Sequence, residues 1–135
     1  MNDKSKYFGK YMDNETYCEG QKPFIHMHLD NIIRDIIPEY KLSDDIDYTI
    51  DFSDTAVTLI FTVSTDRSKD EIFDFVSAVK QRIIILAAER YPILFEQPEA
   101  NRVHDFYINL SNFLDSAKLY QMPNNDYQIS VNCDF

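Results

Sequence analysis

Residues 46–64 read IDYTIDFSDTAVTLIFTVS, and the fold turns on this stretch. Ile46, Tyr48, Ile50 and Phe52 alternate with Asp47, Thr49 and Asp51. That is the period-two pattern of a strand with one face in a core and the other in water. Ser53, Asp54 and Thr55 then supply turn formers. From Ala56 to Ser64 the alternation resumes, with Val57, Leu59, Phe61 and Val63 on one side and Thr58, Ile60 and Thr62 on the other. The stretch is predicted to be a β-hairpin with strands at about 46–53 and 56–64.

Upstream, Ile25, Leu29, Ile32 and Ile36, widened by Ile33 and Ile37, recur at the spacing of one helix face. Pro23 suits a first helical turn and Pro38 a stop, so a helix is expected over about 23–37. Residues 1–22 carry Tyr7, Tyr11 and Tyr17, both glycines of the chain (Gly9 and Gly20) and no net charge. They are expected to form an extended or irregular arm on a single domain spanning 23–135.

Downstream, Ser68 and Glu71 match a capping box. The serine oxygen can satisfy one orphan N–H of a new helix while the glutamate reaches back to another. A long helix from about Ser68 to Tyr91 follows, with Ile72, Phe75, Val76, Val79, Ile83 and Leu86 as its buried stripe and Pro92 beyond its end. After a loop containing Pro98, residues 102–110 place His104, Phe106, Ile108 and Leu110 in alternation, which reads as a further strand. Residues 111–115 suit a short helical turn. Residues 117–122 and 127–134 flank the turn sequence Pro123-Asn124-Asn125-Asp126 and read as two more strands. The order of elements predicts an α+β domain: an antiparallel sheet of about four to five strands, with one long and one shorter helix packed on one face.

Composition narrows the function. The chain has 135 residues, a formal net charge of -10 and 44% hydrophobic residues, enough for one well-formed core. Residues 24–67 contain nine acids against Arg34, Lys41 and Arg67. Such a balance opposes direct contact with nucleic acid, which needs cations to neutralise phosphates, and opposes adsorption to anionic membranes. Residues 21–135 contain no glycine, so a glycine-rich phosphate-binding loop is excluded there. The opening MNDKSKYFGK has no apolar run and does not read as a signal peptide or lipid anchor. A cytoplasmic protein is expected, with Cys18 and Cys133 as free thiols unless they bridge.

The three histidines, His26, His28 and His104, are the candidate catalysts or ligands. His26, His28 and Asp30 would share a face of a strand, but the apolar stripe around them is helical, and on a helix residues two apart diverge by about 200°. His26, Asp30 and Arg34 then form an i, i+4 row, with His28 near the margin of the buried stripe. His104 is expected to be a hydrogen-bonded core or rim residue. No cysteine or serine stands in a nucleophile motif, and no metal or cofactor is expected.

The remaining signal is acidic. Asp44, Asp45, Asp47, Asp51 and Asp54 fall within eleven residues with no Lys or Arg among them. Alternate positions on one strand face lie about 7 Å apart, a spacing comparable to phosphates along a nucleic-acid strand. Asp44, Asp45, Asp47, Thr49, Asp51 and Asp54 are therefore the candidate partner-binding residues. The expected function is a non-enzymatic acidic binding protein, of inhibitor or immunity type. Its partner would be basic, such as a nuclease toxin or another nucleic-acid-acting enzyme. The alternatives are a structural or assembly subunit, and a small enzyme using His26, His28 or His104.

Overall fold

A computed structural model of the chain describes residues 14–64, 66–93 and 98–134. The elements run α1 (Asn14–Glu39), β1 (Ile46–Phe52), β2 (Ala56–Val63), α2 (Lys69–Arg90), α3 (Pro98–Asp115), β3 (Tyr120–Gln121) and β4 (Tyr127–Asp134). The four strands form one antiparallel sheet in the order β1-β2-β4-β3. The fold is α+β, as the sequence predicts.

The hairpin forms at the expected place. Phe52 pairs with Val57 and Ile46 with Val63, and the Ser53 N–H donates to the Ala56 carbonyl at 2.9 Å across the turn. Val57, Leu59, Phe61 and Val63 of β2 and Ile129, Val131 and Cys133 of β4 point to one side and are buried. The helices supply the rest of that core. The Phe61 and Phe75 rings meet edge to face with centroids 5.4 Å apart, fixing α2 against the sheet. Burying a side chain of this size contributes about 1.5–3 kcal/mol.

α2 begins as its sequence implies. The Ser68 hydroxyl oxygen accepts from the Glu71 N–H at 3.1 Å, and the Ser68 N–H donates back to Glu71 Oε1 at 3.2 Å. Arg67 braces the same corner. Its guanidinium bonds Asp45 at 2.6 and 2.8 Å and Glu71 at 3.2 Å, and it also donates to the Lys41 carbonyl.

Two elements differ from expectation. The helix expected at 23–37 runs from Asn14 to Glu39, so residues 14–22 are helical and not an irregular arm. Residues 1–13, and with them Tyr7 and Tyr11, lie outside the described residues. An interior proline removes one i→i−4 bond and need not start a helix when the preceding backbone is already helical. Pro23 is exposed and Pro38 sits in the last turn. The stop comes from a Schellman closure: Leu42 N–H donates to the Ile37 carbonyl and Lys41 N–H to the Pro38 carbonyl, with Lys41 at φ 57°.

The second correction is residues 102–110, expected to be a strand. They lie within α3, and Pro98 is its first residue. Val103, Phe106, Tyr107, Leu110, Ser111 and Leu114 are the buried positions, spaced three and four apart. Of the alternating His104, Phe106, Ile108 and Leu110, Phe106 and Leu110 belong to that buried helical pattern, while His104 and Ile108 flank it half-buried. The expected strand at 117–122 shortens to Tyr120–Gln121. Among the described residues the sheet therefore has four strands, and three helices cover its inner face.

Candidate functional site

Because the helices cover one face, the other side of the sheet is open. Its positions are Asp47, Thr49 and Asp51 on β1, Thr58, Ile60 and Thr62 on β2, Tyr120 on β3, and Gln128, Ser130, Asn132 and Asp134 on β4. The register sets Asp47, Thr62 and Gln128 in one row and Asp51, Thr58 and Asn132 in another. In the second row the Asn132 amide donates to the Thr58 hydroxyl at 2.7 Å. No strand position on this face is a Lys, Arg or His. The surface is a layer of hydroxyls and amides carrying carboxylates.

The candidate acids divide. Asp47, Thr49 and Asp51 are exposed on the open face, at its β1 margin. Asp47 and Asp51 stand four residues apart, about 13 Å along the strand, with Thr49 between them. Asp44 is exposed in the turn before β1, and Asp54 is exposed in the hairpin turn at the other end. Asp45 does not join them. It is the half-buried partner of Arg67, and its carbonyl accepts from the Ser64 N–H at 2.8 Å. Among the described residues, Asp44, Asp47, Asp51 and Asp54 have no ion-pair partner within 4 Å. These four, with Thr49, form an acidic margin along the sheet.

The sequence missed the breadth of this surface. The polar side of β4, Gln128 to Asp134, is visible as alternation, but nothing local says that β4 lies beside β2. That adjacency brings Asn132 and Asp134 onto the acidic face.

The outer edge of β1 adjoins α1 across an open recess of about 430 Å³. His26, Asp30 and Arg34 of α1 line one wall, and Ile46, Asp47, Tyr48 and Ile50 the other. The i, i+4 row of the sequence reading thus faces a strand. The Tyr48 hydroxyl donates to Asp30, and Arg34 Nε donates to Tyr48 at 3.3 Å and pairs with Asp30 at 3.1 Å. Burial first, and then the Asp30 hydrogen bond, push the Tyr48 phenol above its ordinary range, which keeps it a neutral donor. The Tyr48 hydrogen bond and the Asp30 carboxylate hold Arg34 charged. His26 lies beside Phe52, with ring centroids 6.2 Å apart.

The other histidines have structural partners. His28 is buried with Nε2 3.1 Å from the Tyr91 hydroxyl, and burial lowers its pKa. His104 Nδ1 lies 2.7 Å from the Tyr91 carbonyl and 3.2 Å from the Ala87 carbonyl. Both are acceptors, which assigns the proton to Nδ1 and makes His104 a cap on the end of α2. Among the described residues no three His, Cys, Asp or Glu side chains gather as a metal site. Cys133 is buried and free, with its thiol pushed up to about 12 by burial. The side chain of Cys18 lies outside the described residues. Also among the described residues, no helix is long and apolar enough to cross a membrane.

Comparison with protein-family models, with curated proteins and with solved structures finds no match for this chain.

Proposed function

We propose that this protein is a non-enzymatic binding module whose acidic sheet margin occludes a basic partner. An inhibitor or immunity-type role against a nuclease or other nucleic-acid-acting protein is the form this reading takes. The observation that carries it is the uncovered sheet face. Asp47 and Asp51 stand exposed on it, Asp44 and Asp54 extend the charge beyond both ends, and no cation on the strands offsets them. Repulsion among such acids is a standing cost in the isolated protein, and a cationic surface relieves it. The carboxylates present two charges in line about 13 Å apart, close to every second phosphate of a nucleic-acid strand, with hydroxyl and amide groups between and beside them.

The test is affinity capture from the source cell at low and high salt, with wild type and D47K/D51K. The expected result is a basic protein retained by wild type at low salt, released by salt and absent with the reversal. A partner retained equally by a folded D47K/D51K variant would refute the acidic-face reading. Recovery of the protein's own copies alone would favour an assembly role.

A further inference from the structure

The β1 edge carries hydrogen-bonding groups that the sheet does not use. Ser53 N–H donates to Ala56 and Ser64 N–H to Asp45, which marks 53 with 56 and 45 with 64 as hydrogen-bonded pairs. An antiparallel ladder alternates. The backbone groups of Asp47, Thr49 and Asp51 therefore face β2, and those of Tyr48 and Ile50 face outward. Among the described residues no backbone hydrogen bond to Tyr48 or Ile50 arrives from that side. The recess of about 430 Å³ between β1 and α1 leaves room beside them.

We infer that the β1 edge accepts an extended segment of a partner as a fifth, antiparallel strand, in which basic residues alternate with apolar ones. This rests on the acidic-face reading above. The chemistry of the segment follows from the register. Residues opposite Asp47, Thr49 and Asp51 share the open face, where Lys or Arg meets two carboxylates. Residues opposite Tyr48 and Ile50 turn into the recess, where Asp30 and Arg34 already neutralise each other and the rings of His26 and Tyr48 offer contact. An apolar side chain fits there without leaving a charge unpaired.

A second copy of this chain is the poorer occupant. In the antiparallel register that overlaps two β1 strands fully, Thr49 faces Thr49, and Asp47 of each copy faces Asp51 of the other. Like charges directly opposite each other destabilise a pair of strands. In that register the edge repels its own copy, whereas a basic strand meets complementary charge.

The experiment uses the whole protein and three synthetic octapeptides of one composition: alternating Lys-Val, a block of Lys followed by a block of Val, and the alternating peptide N-methylated at each Val. In the proposed register the Val residues turn their N–H groups toward β1. The alternating peptide is expected to bind best and to slow amide exchange at Tyr48 and Ile50. Val methylation is expected to weaken it about tenfold or more, since it removes several hydrogen bonds of modest net strength. Equal binding by all three peptides, lost in D47K/D51K, would overturn the edge and leave the acidic-face reading standing. Equal binding that D47K/D51K leaves unchanged would overturn both. No binding of the alternating peptide at low salt would overturn the edge.

Discussion

Replacing Lys41 with glycine is expected to stabilise the protein. Lys41 closes α1 with φ 57°, the left-handed position that glycine usually fills in a Schellman motif. An L-residue there sets its Cβ against the following carbonyl, which costs about 1–2 kcal/mol. Glycine removes that cost but brings back unfolded-chain entropy of about 0.5–1 kcal/mol. The net gain is about 0.5–1 kcal/mol. For a domain of this length that raises Tm by about 2–4 °C. The Lys41 side chain is exposed, and the bond from Arg67 goes to its backbone carbonyl, so glycine leaves that contact in place. Lys41→Ala is the control: it keeps the Cβ and should change stability by less than about 0.5 kcal/mol. Thermal and urea melts of the three proteins make the comparison. A Lys41→Gly variant less stable than wild type would show that Lys41 is not left-handed and that α1 ends in some other way.

Glycine moves the opposite way at position 20. Gly20 lies inside α1 with nothing within 4 Å of an added Cβ, so Gly20→Ala should add about 0.5–1 kcal/mol in a urea melt, and a loss would mean this turn is not helical. His28 sets a pH dependence. Burial and the Arg90 charge hold its folded pKa below 6.5, so the unfolded chain takes up the proton first and stability falls as pH drops through 6.5. Urea midpoints between about pH 7.5 and 5.5 should decline, and His28→Gln should flatten that decline; identical slopes would remove His28 as its cause. With its thiol near 12, Cys133 should resist alkylation at mildly alkaline pH in the folded protein and react on unfolding. Rapid labelling of native Cys133 would contradict its burial.

The hairpin and α2 were legible because each is specified locally. Alternation from Ile46 to Val63 is uninterrupted except at the turn, and Ser68 with Glu71 states a helix start within four residues. α3 was not legible for a related reason. His104, Phe106, Ile108 and Leu110 satisfy period two, while Val103, Phe106, Tyr107, Leu110 and Leu114 satisfy period 3.6 over a longer span. The longer pattern wins because burial is decided over the whole helix. Pro23 misplaced the start of α1, because a proline at the first turn and a proline tolerated within a helix look alike in sequence. At the candidate site, the outward position of Asp47, Thr49 and Asp51 followed from alternation. The withdrawal of Asp45 did not, since it depends on Arg67 arriving from a different loop. Nor did the recess, which needs α1 and the β1 edge to be neighbours in space.

On the proposed acidic-face reading, recognition lies in the open face and net charge alone does not supply it. The most direct measurement is the association rate of the captured partner against ionic strength, for wild type, D47K/D51K and a control reversing Asp74 and Glu89. Asp74 and Glu89 are exposed on α2, away from the open face, and their reversal changes net charge by the same amount. Wild type is expected to slow steeply between about 50 and 200 mM salt. D47K/D51K is expected to slow association about tenfold or more at low salt, while the control stays close to wild type. Equal slowing by the two double reversals would refute recognition by the face and leave a general attraction of an acidic protein for a basic one.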